Sequence, residues 1–162
     1  AGGYTLKLPS EDKHMKSRAE FLDELAVLLG GYVAERMVFG DITTGPSNDL
    51  EKASEVARSI VKDFGMSKKL GPITFGEKEH FPFLGRDLEA AKNYSETTAV
   101  QIDKEVATLI ENARKAAERV LRQKRKTLDK IAKVLVEKET IEREEFEQLI
   151  GKPTKTSSKR GV

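Results

Sequence analysis

The segment Thr43–Gly65, TTGPSNDLEKASEVARSIVKDFG, decides the fold because it has the pattern of an amphipathic helix. Its apolar residues recur at steps of three and four, which places them on one helical face. They are Leu50, Ala53, Val56, Ala57, Ile60, Val61 and Phe64. Gly65 follows them as a left-handed stop residue. The segment is therefore predicted to be a helix that lays one face on a core.

Asp49 is the polar exception on this stripe, since at about 100° per residue it points between Ala53 and Val56. A buried carboxylate is costly unless a cation, a set of donors or a metal meets it. An acidic residue in the first helical turn also caps free N–H groups and interacts with the helix dipole. Ser47 and Asn48 already offer cap side chains. The residues alone leave both roles open, and Asp49 becomes a candidate metal ligand.

Helical patterns also precede this segment. Ser17 and Glu20 have the spacing of a capping box, and an apolar face follows over residues 21–29 and 33–38. Gly30 and Gly31 interrupt that face; they either break the helix or let another backbone approach closely. We expect one helix with a flat spot at the two glycines.

The chain after Gly65 is predicted to form a loop and then more helices. The loop contains one short strand at residues 73–75, Ser95 caps a long helix, and a second helix covers residues 128–136. Thr140 is expected to cap a third helix that ends at Gly151. Residues 2–9 alternate as in one short strand, and residues 152–162 have the composition of a disordered tail. The predicted fold is mainly α, with a single domain in residues 1–151.

Composition limits the possible functions. The 162 residues are 38% apolar and 35% charged, with a net charge of +2, which argues against general attraction to nucleic acid or membrane. The absence of cysteine excludes disulfides, cysteine-ligated zinc and thiol catalysis within this chain. The chain also lacks a phosphate-binding GxxxxGK[ST] loop and any apolar run as long as a membrane span.

Other polar candidates have ordinary explanations beside functional ones. Residues 114–133 hold nine basic side chains, which could bind RNA or an acidic partner, but no aromatic residue is present for base stacking. A solvated helix face is the favoured interpretation. His14 and His80 are expected to be solvated. Glu35 is expected to form a surface salt bridge, with contact to a metal ligand as the alternative.

A series of ordered motifs resembles the peptidase domain of the FtsH family. The members of this family are membrane-anchored, ATP-dependent zinc metalloproteases. The motifs are GYTLKLP, LLGGYVAERMVFGD, TTGPSNDLEKASEVAR, GMSKKLGPITF, FLGRD, NYSE, IDKEV and LVEKETI. They extend from Gly3 to Ile150 and correspond to the later part of that domain. The resemblance implies that the complete protein is a zinc metalloendopeptidase.

In that family two histidines of an HExxH helix and one aspartate hold the zinc, and the aspartate falls on Asp49. The sequence contains no HExxH, so no catalytic residue is expected in this chain, which is interpreted as an inactive piece of a longer protease. Glu35 and Asn48 are candidates for orienting the metal ligand. The strand at Gly3, Tyr4, Thr5 and Leu6 is expected to bind an extended peptide substrate.

The resemblance further implies a hexamer that takes in unfolded or membrane-extracted polypeptides, with ATP bound outside this chain. The parent protein would be membrane-associated through other segments, and this domain would lie in the cytoplasm or an organelle interior. No nucleic-acid partner is expected. The alternative is a non-catalytic helical assembly module that keeps the ring contacts without the metal.

Overall fold

The computed structural model describes residues 15–76 and 93–151. These residues form six helices: α1 Arg18–Leu28, α2 Gly30–Phe39, α3 Ser47–Lys62, α4 Glu96–Gln123, α5 Arg125–Lys138 and α6 Arg143–Ile150. Within the same ranges the only β pairing is an isolated bridge between Ser67 and Gly71. The prediction of a mainly α fold is confirmed. The predicted strand in residues 2–9 and the predicted tail in residues 152–162 lie outside the described ranges.

The first helical segment begins as predicted but is divided in two. Ser17 and Glu20 form a capping box, in which the Glu20 N–H donates to Ser17 Oγ at 3.3 Å and the Ser17 N–H donates to Glu20 Oε2 at 2.8 Å. The expected single helix is interrupted at Leu29, which joins α1 to α2 with φ −82° and ψ −2°. Two successive glycines after Leu29 disfavour a continuous helix, which accounts for the break.

The chain divides into two compact units, residues 1–117 and residues 118–162. In the first unit α1 packs on α3. Ala53 and Ala57 on α3 are fully buried and belong to the hydrophobic core of this unit. The other buried members of this core are Leu25, Leu29, Ile60, Val61, Phe75, Ile102, Leu109 and Ala113.

The loop after α3 is held by backbone hydrogen bonds rather than by strand pairing. Gly65 adopts the predicted left-handed conformation, with φ +58°. The prediction of a strand at residues 73–75 is wrong. These residues are irregular, and the Phe75 N–H donates to the Lys62 carbonyl oxygen near the end of α3 at 2.8 Å. The Phe75 ring meets Tyr94 edge-on at 5.8 Å between centroids. No second strand among the described residues is available to pair with this segment.

Glu105 is a buried carboxylate on α4, with its side chain 6% exposed. Its Oε2 atom has no hydrogen-bond partner in the described part of the chain and lies 3.8 Å from Lys69 Nζ on the loop after α3. The Lys69 side chain is 71% exposed, so the pair consists of a buried carboxylate and a solvent-exposed ammonium group.

The described part of the second unit, residues 118–151, contains the end of α4 together with α5 and α6. α5 packs against α6, and Lys138 Nζ lies 2.6 Å from Glu145 Oε1. None of these residues is buried. The expectation that Thr140 caps α6 is wrong: the residue at the N-cap is Glu142, and no side chain caps the helix. No helix in the described ranges is both long and apolar enough to cross a membrane.

Candidate metal centre

Asp49 lies in the first turn of α3, two residues after the helix begins at Ser47. Its side chain is half-buried, beside the half-buried Leu50 and one turn before the fully buried Ala53. This partial burial agrees with a place on the apolar stripe, whereas the predicted direction between Ala53 and Val56 stays a prediction. Within the described residues, the Asp49 carboxylate has neither a hydrogen-bond partner nor an ion-pair partner. It is available to a ligand from elsewhere.

The start of α3 differs from the expected capping arrangement. The N-cap residue is Pro46, and no side chain makes a cap hydrogen bond, so the expectation that Ser47 and Asn48 act as caps is wrong. Pro46 fixes the backbone at φ −81°, and the Ser47 N–H is instead satisfied by the Thr44 carbonyl oxygen at 3.1 Å. Asp49 makes no capping hydrogen bond either. Its negative charge still faces the positive end of the helix dipole.

Glu35 on α2 has different partners from those expected. It forms no salt bridge with another described residue; its carboxylate accepts a hydrogen bond from the Thr43 N–H at 3.0 Å and also accepts one from the Thr43 hydroxyl. It makes no hydrogen bond to Asp49, and Asn48 is exposed and makes no side-chain hydrogen bond to another described residue.

The glycine pair lies next to the start of α3. A Cβ atom on Gly31 would lie 4.0 Å from the Cβ of Pro46, which is buried, whereas a Cβ on Gly30 would have no neighbour within 4 Å. A separation of 4.0 Å is an ordinary van der Waals distance and Gly31 is exposed, so the close approach predicted at the glycines stays a prediction.

The described residues do not form a complete metal site. No group of three or more histidine, cysteine, aspartate or glutamate side chains among them could hold a metal ion. His14, His80 and the predicted substrate strand at Gly3–Leu6 lie outside the described ranges. A single half-buried carboxylate that has no partner among residues 15–76 and 93–151 would fit one ligand position of a zinc site whose remaining ligands come from other residues.

The basic segment of residues 114–133 engages carboxylates along its own helices. Arg114 Nε lies 2.8 Å from Glu111 Oε2, and this hydrogen bond is the main cause that lowers the pKa of Glu111 to about 2. Two further pairs have the same spacing of about one turn: Arg122 with Glu118 and Arg125 with Asp129. This pairing favours the interpretation of the segment as a solvated helix face.

Comparison with known sequences identifies the family. The sequence model of Peptidase family M41 matches residues 1–149. The chain belongs to this family. The resemblance to the FtsH family is thereby confirmed, and Asp49 lies inside the matched region.

Curated relatives share about half of their residues with this chain over the matched region. ATP-dependent zinc metalloprotease FtsH 1 of Thermoanaerobacter sp. is 50% identical over 149 residues, which cover 92% of this chain and 24% of the relative. FtsH of Thermotoga maritima is 48% identical over 148 residues, covering 91% of this chain and 24% of the relative. FtsH of Caldicellulosiruptor bescii is 48% identical over 150 residues, covering 93% and 24%. The chain spans about a quarter of the length of these relatives.

Thr43 and Gly45 are site residues that sequence reasoning missed. The Thr43 side chain and the Gly45 backbone link Glu35 to the start of α3. The Gly45 N–H donates to Thr43 Oγ1 at 3.0 Å. The sequence TTG before Pro46 marks a turn but does not indicate that the turn meets a glutamate eight residues earlier.

Proposed function

We propose that this chain supplies Asp49 as the carboxylate ligand of a zinc ion in an ATP-dependent metalloprotease that hydrolyses peptide bonds. The observation that carries the proposal is the half-buried Asp49 carboxylate, which has no partner among the described residues although it lies in a family M41 domain. Zinc sites in hydrolases combine histidine nitrogen with carboxylate oxygen and keep one position open. When bound, the metal supplies Lewis-acid activation of a water for hydrolysis.

The fold gives Asp49 two properties that suit a ligand. Its position in the first turn of α3 places an acidic side chain at the positive end of the helix dipole, where negative charge is stabilising. The fully buried Ala53 and Ala57 fix the helix against the core, so the carboxylate projects from a rigid element rather than from a loop. Both properties lower the cost of holding a charged oxygen ready for a cation.

The remaining features of the complete protein are part of the same proposal. The relatives' names, which specify ATP dependence, zinc and proteolysis, support a nucleotide site outside this chain and polypeptides as substrates. A homo-hexamer, membrane attachment through other segments and a cytoplasmic or organelle-interior position follow from the family resemblance. Residues 1–151 would form the later part of the peptidase domain, and Gly3–Leu6 would pair with the substrate backbone.

The test is Asp49→Asn in the full-length protease, with Asp103→Asn as the matched control because Asp103 is an exposed carboxylate on α4. Zinc content by elemental analysis and casein cleavage should both fall sharply in Asp49→Asn and stay normal in Asp103→Asn. The circular dichroism spectrum should be unchanged in both. Full zinc occupancy with normal cleavage in Asp49→Asn would overturn the ligand assignment. A full-length parent that binds no zinc would support the assembly-module alternative.

The same substitution in the 162-residue chain separates a ligand from a cap. Loss of a capping side chain costs about 0.5–2 kcal/mol of stability. Asp49 makes no capping hydrogen bond, so urea unfolding of Asp49→Asn should differ from the wild type by less than about 0.5 kcal/mol. A larger destabilisation would show that the carboxylate stabilises the helix start.

A further inference from the structure

Glu105 occupies a core position on α4. Buried residues recur on this helix at steps of three and four, which places them on one face. They are Ile102, Glu105, Leu109, Ala113 and Ala117. Glu105 is 5% exposed, whereas the preceding Asp103 and Lys104 are exposed. A charged side chain therefore lies where the helical pattern predicts an apolar one.

The Glu105 carboxylate gains little from its surroundings. Its Oε2 atom accepts no hydrogen bond from residues 15–76 or 93–151. Lys69 Nζ lies at 3.8 Å, beyond the length of about 2.7–2.9 Å that is typical of a hydrogen bond between an ammonium group and a carboxylate. Water around the exposed lysine also weakens the attraction. Since apolar side chains in place of a buried ion pair are often neutral or stabilising, stability does not explain this glutamate.

Lys69 belongs to a tight turn, residues 67–71, which follows α3. The buried Ser67 Oγ accepts hydrogen bonds from the Lys69 N–H at 3.2 Å and the Leu70 N–H at 3.1 Å. The Ser67 carbonyl oxygen accepts a third from the Gly71 N–H at 3.1 Å. These hydrogen bonds fix the shape of the turn but not its placement on α4, to which the Lys69–Glu105 pair joins it.

The apolar and ionic contacts of the turn respond differently to a displacement. Leu70 packs against the hydrophobic core, and apolar contact is non-directional, so a small shift of this side chain changes little. A displacement that carries Lys69 away from Glu105 leaves a buried charge without a cation, which is strongly destabilising. The ion pair therefore disfavours every placement of the turn that separates the two side chains.

We propose that Lys69 and Glu105 form a conformational latch, which restricts the turn 67–71 to one placement on α4 without adding to the stability of the first unit. Glu105 contributes specificity, because its buried carboxylate penalises the alternatives more than it favours the observed placement. The latch uses residues of the first unit only and does not depend on the proposed metal site.

Hydrogen exchange of the full-length protease, followed by mass spectrometry, tests the latch. Peptides covering residues 66–72 report opening of the turn, and peptides covering residues 53–61, which include the buried positions of α3, report opening of the core. The variants are Glu105→Leu, Glu105→Gln, Lys69→Met and the double variant Lys69→Met/Glu105→Leu. Asp103→Leu is the matched control because it replaces an exposed carboxylate of α4.

Glu105→Leu and Glu105→Gln should speed exchange in residues 66–72 by about tenfold or more and leave exchange in residues 53–61 unchanged or slower, because only the turn is released. Lys69→Met should speed exchange in both regions, since the buried carboxylate then has no cation. In the Glu105→Leu variant the same lysine substitution should have no further effect. Asp103→Leu should behave as wild type.

Two results would overturn the inference. Wild-type exchange of residues 66–72 in either Glu105 variant would show that the turn keeps its placement without the ion pair. Equal acceleration of residues 66–72 and 53–61 in these variants would show that Glu105 stabilises the whole unit instead of selecting one placement of the turn. If Glu105→Leu fails to fold, Glu105→Gln, which preserves the size and shape of the side chain, decides the question.

Discussion

Gly65 provides a sharp test of how tightly the loop after α3 is packed. Its φ is +58°, and a Cβ atom there would lie 3.2 Å from the Ile73 nitrogen, 3.2 Å from the Pro72 carbonyl carbon and 3.3 Å from Pro72 Cα. These are backbone atoms, which cannot rotate out of the way as a flexible side chain can. Gly65→Ala therefore combines an unfavourable backbone conformation with a steric overlap.

Gly71 is the matched control because its φ is +77° but no heavy atom lies within 4 Å of the added Cβ position. A left-handed conformation costs a residue other than glycine about 1–2 kcal/mol. Restriction of the unfolded chain returns about 0.4–1 kcal/mol, so Gly71→Ala should destabilise the protein by about 1 kcal/mol. Overpacking adds about 1–3 kcal/mol, which brings Gly65→Ala to about 2–4 kcal/mol.

Urea unfolding of the chain followed by tyrosine fluorescence measures this difference. The three tyrosines, at positions 4, 32 and 94, all lie in the first unit, which contains both glycines. With an m-value of about 1–3 kcal/mol/M, the extra overpacking should lower the midpoint of Gly65→Ala by about 1 M relative to Gly71→Ala. Equal midpoints for the two variants would refute the assignment of a close backbone contact at Gly65.

Three further substitutions test other contacts. Glu105→Leu should be neutral or stabilise the first unit by about 1 kcal/mol in urea unfolding, because it removes a buried carboxylate with an unsatisfied oxygen. Lys69→Met should destabilise the wild type, whereas in the Glu105→Leu variant, which has no carboxylate at this position, it should have no effect. Arg114→Gln should raise the pKa of Glu111 from about 2 towards its ordinary value of 4.5, which carboxyl NMR measures. Because a lowered pKa stabilises the folded state at pH values above the unfolded pKa, the wild type should lose this contribution as the pH falls from about 4.5 to about 2. Ser17→Ala should cost about 1 kcal/mol by removing a cap, and an unchanged thermal midpoint would contradict the capping box.

The sequence predicted those helix boundaries that depend on nearby residues. Ser17 caps α1, and the Thr98 N–H donates to Ser95 Oγ at 3.2 Å at the start of α4, as expected from local spacing. The predictions failed where the path of the loop decides the boundary. α3 begins after Pro46 without a side-chain cap, and α6 begins after Glu142 rather than Thr140. The preference of a residue for the N-cap position does not indicate the direction from which the chain enters the helix.

The candidate site was predictable only in part for the same reason. Asp49 was visible because a carboxylate interrupts a regular apolar stripe on one helix. The contact between Glu35 and Thr43 was not, because it requires the chain to reverse after α2 through Gly40, whose φ is +71°. The described residues bring no second possible metal ligand into a group with Asp49, so neither periodicity nor the structure completes the candidate site.

The two alanines at the contact of α3 with α1 restrict the routes by which this domain can evolve. Ala53 and Ala57 are fully buried in the hydrophobic cluster, so substitution by a larger side chain at either position would require a neighbouring core residue to become smaller. In a library selected for function, substitutions at these sites should appear as correlated pairs. The exposed Glu51 and Glu55 of the same helix should vary independently. Divergence of the domain would then proceed at exposed positions, including those of α3, long before it reached the buried face of the helix that carries Asp49.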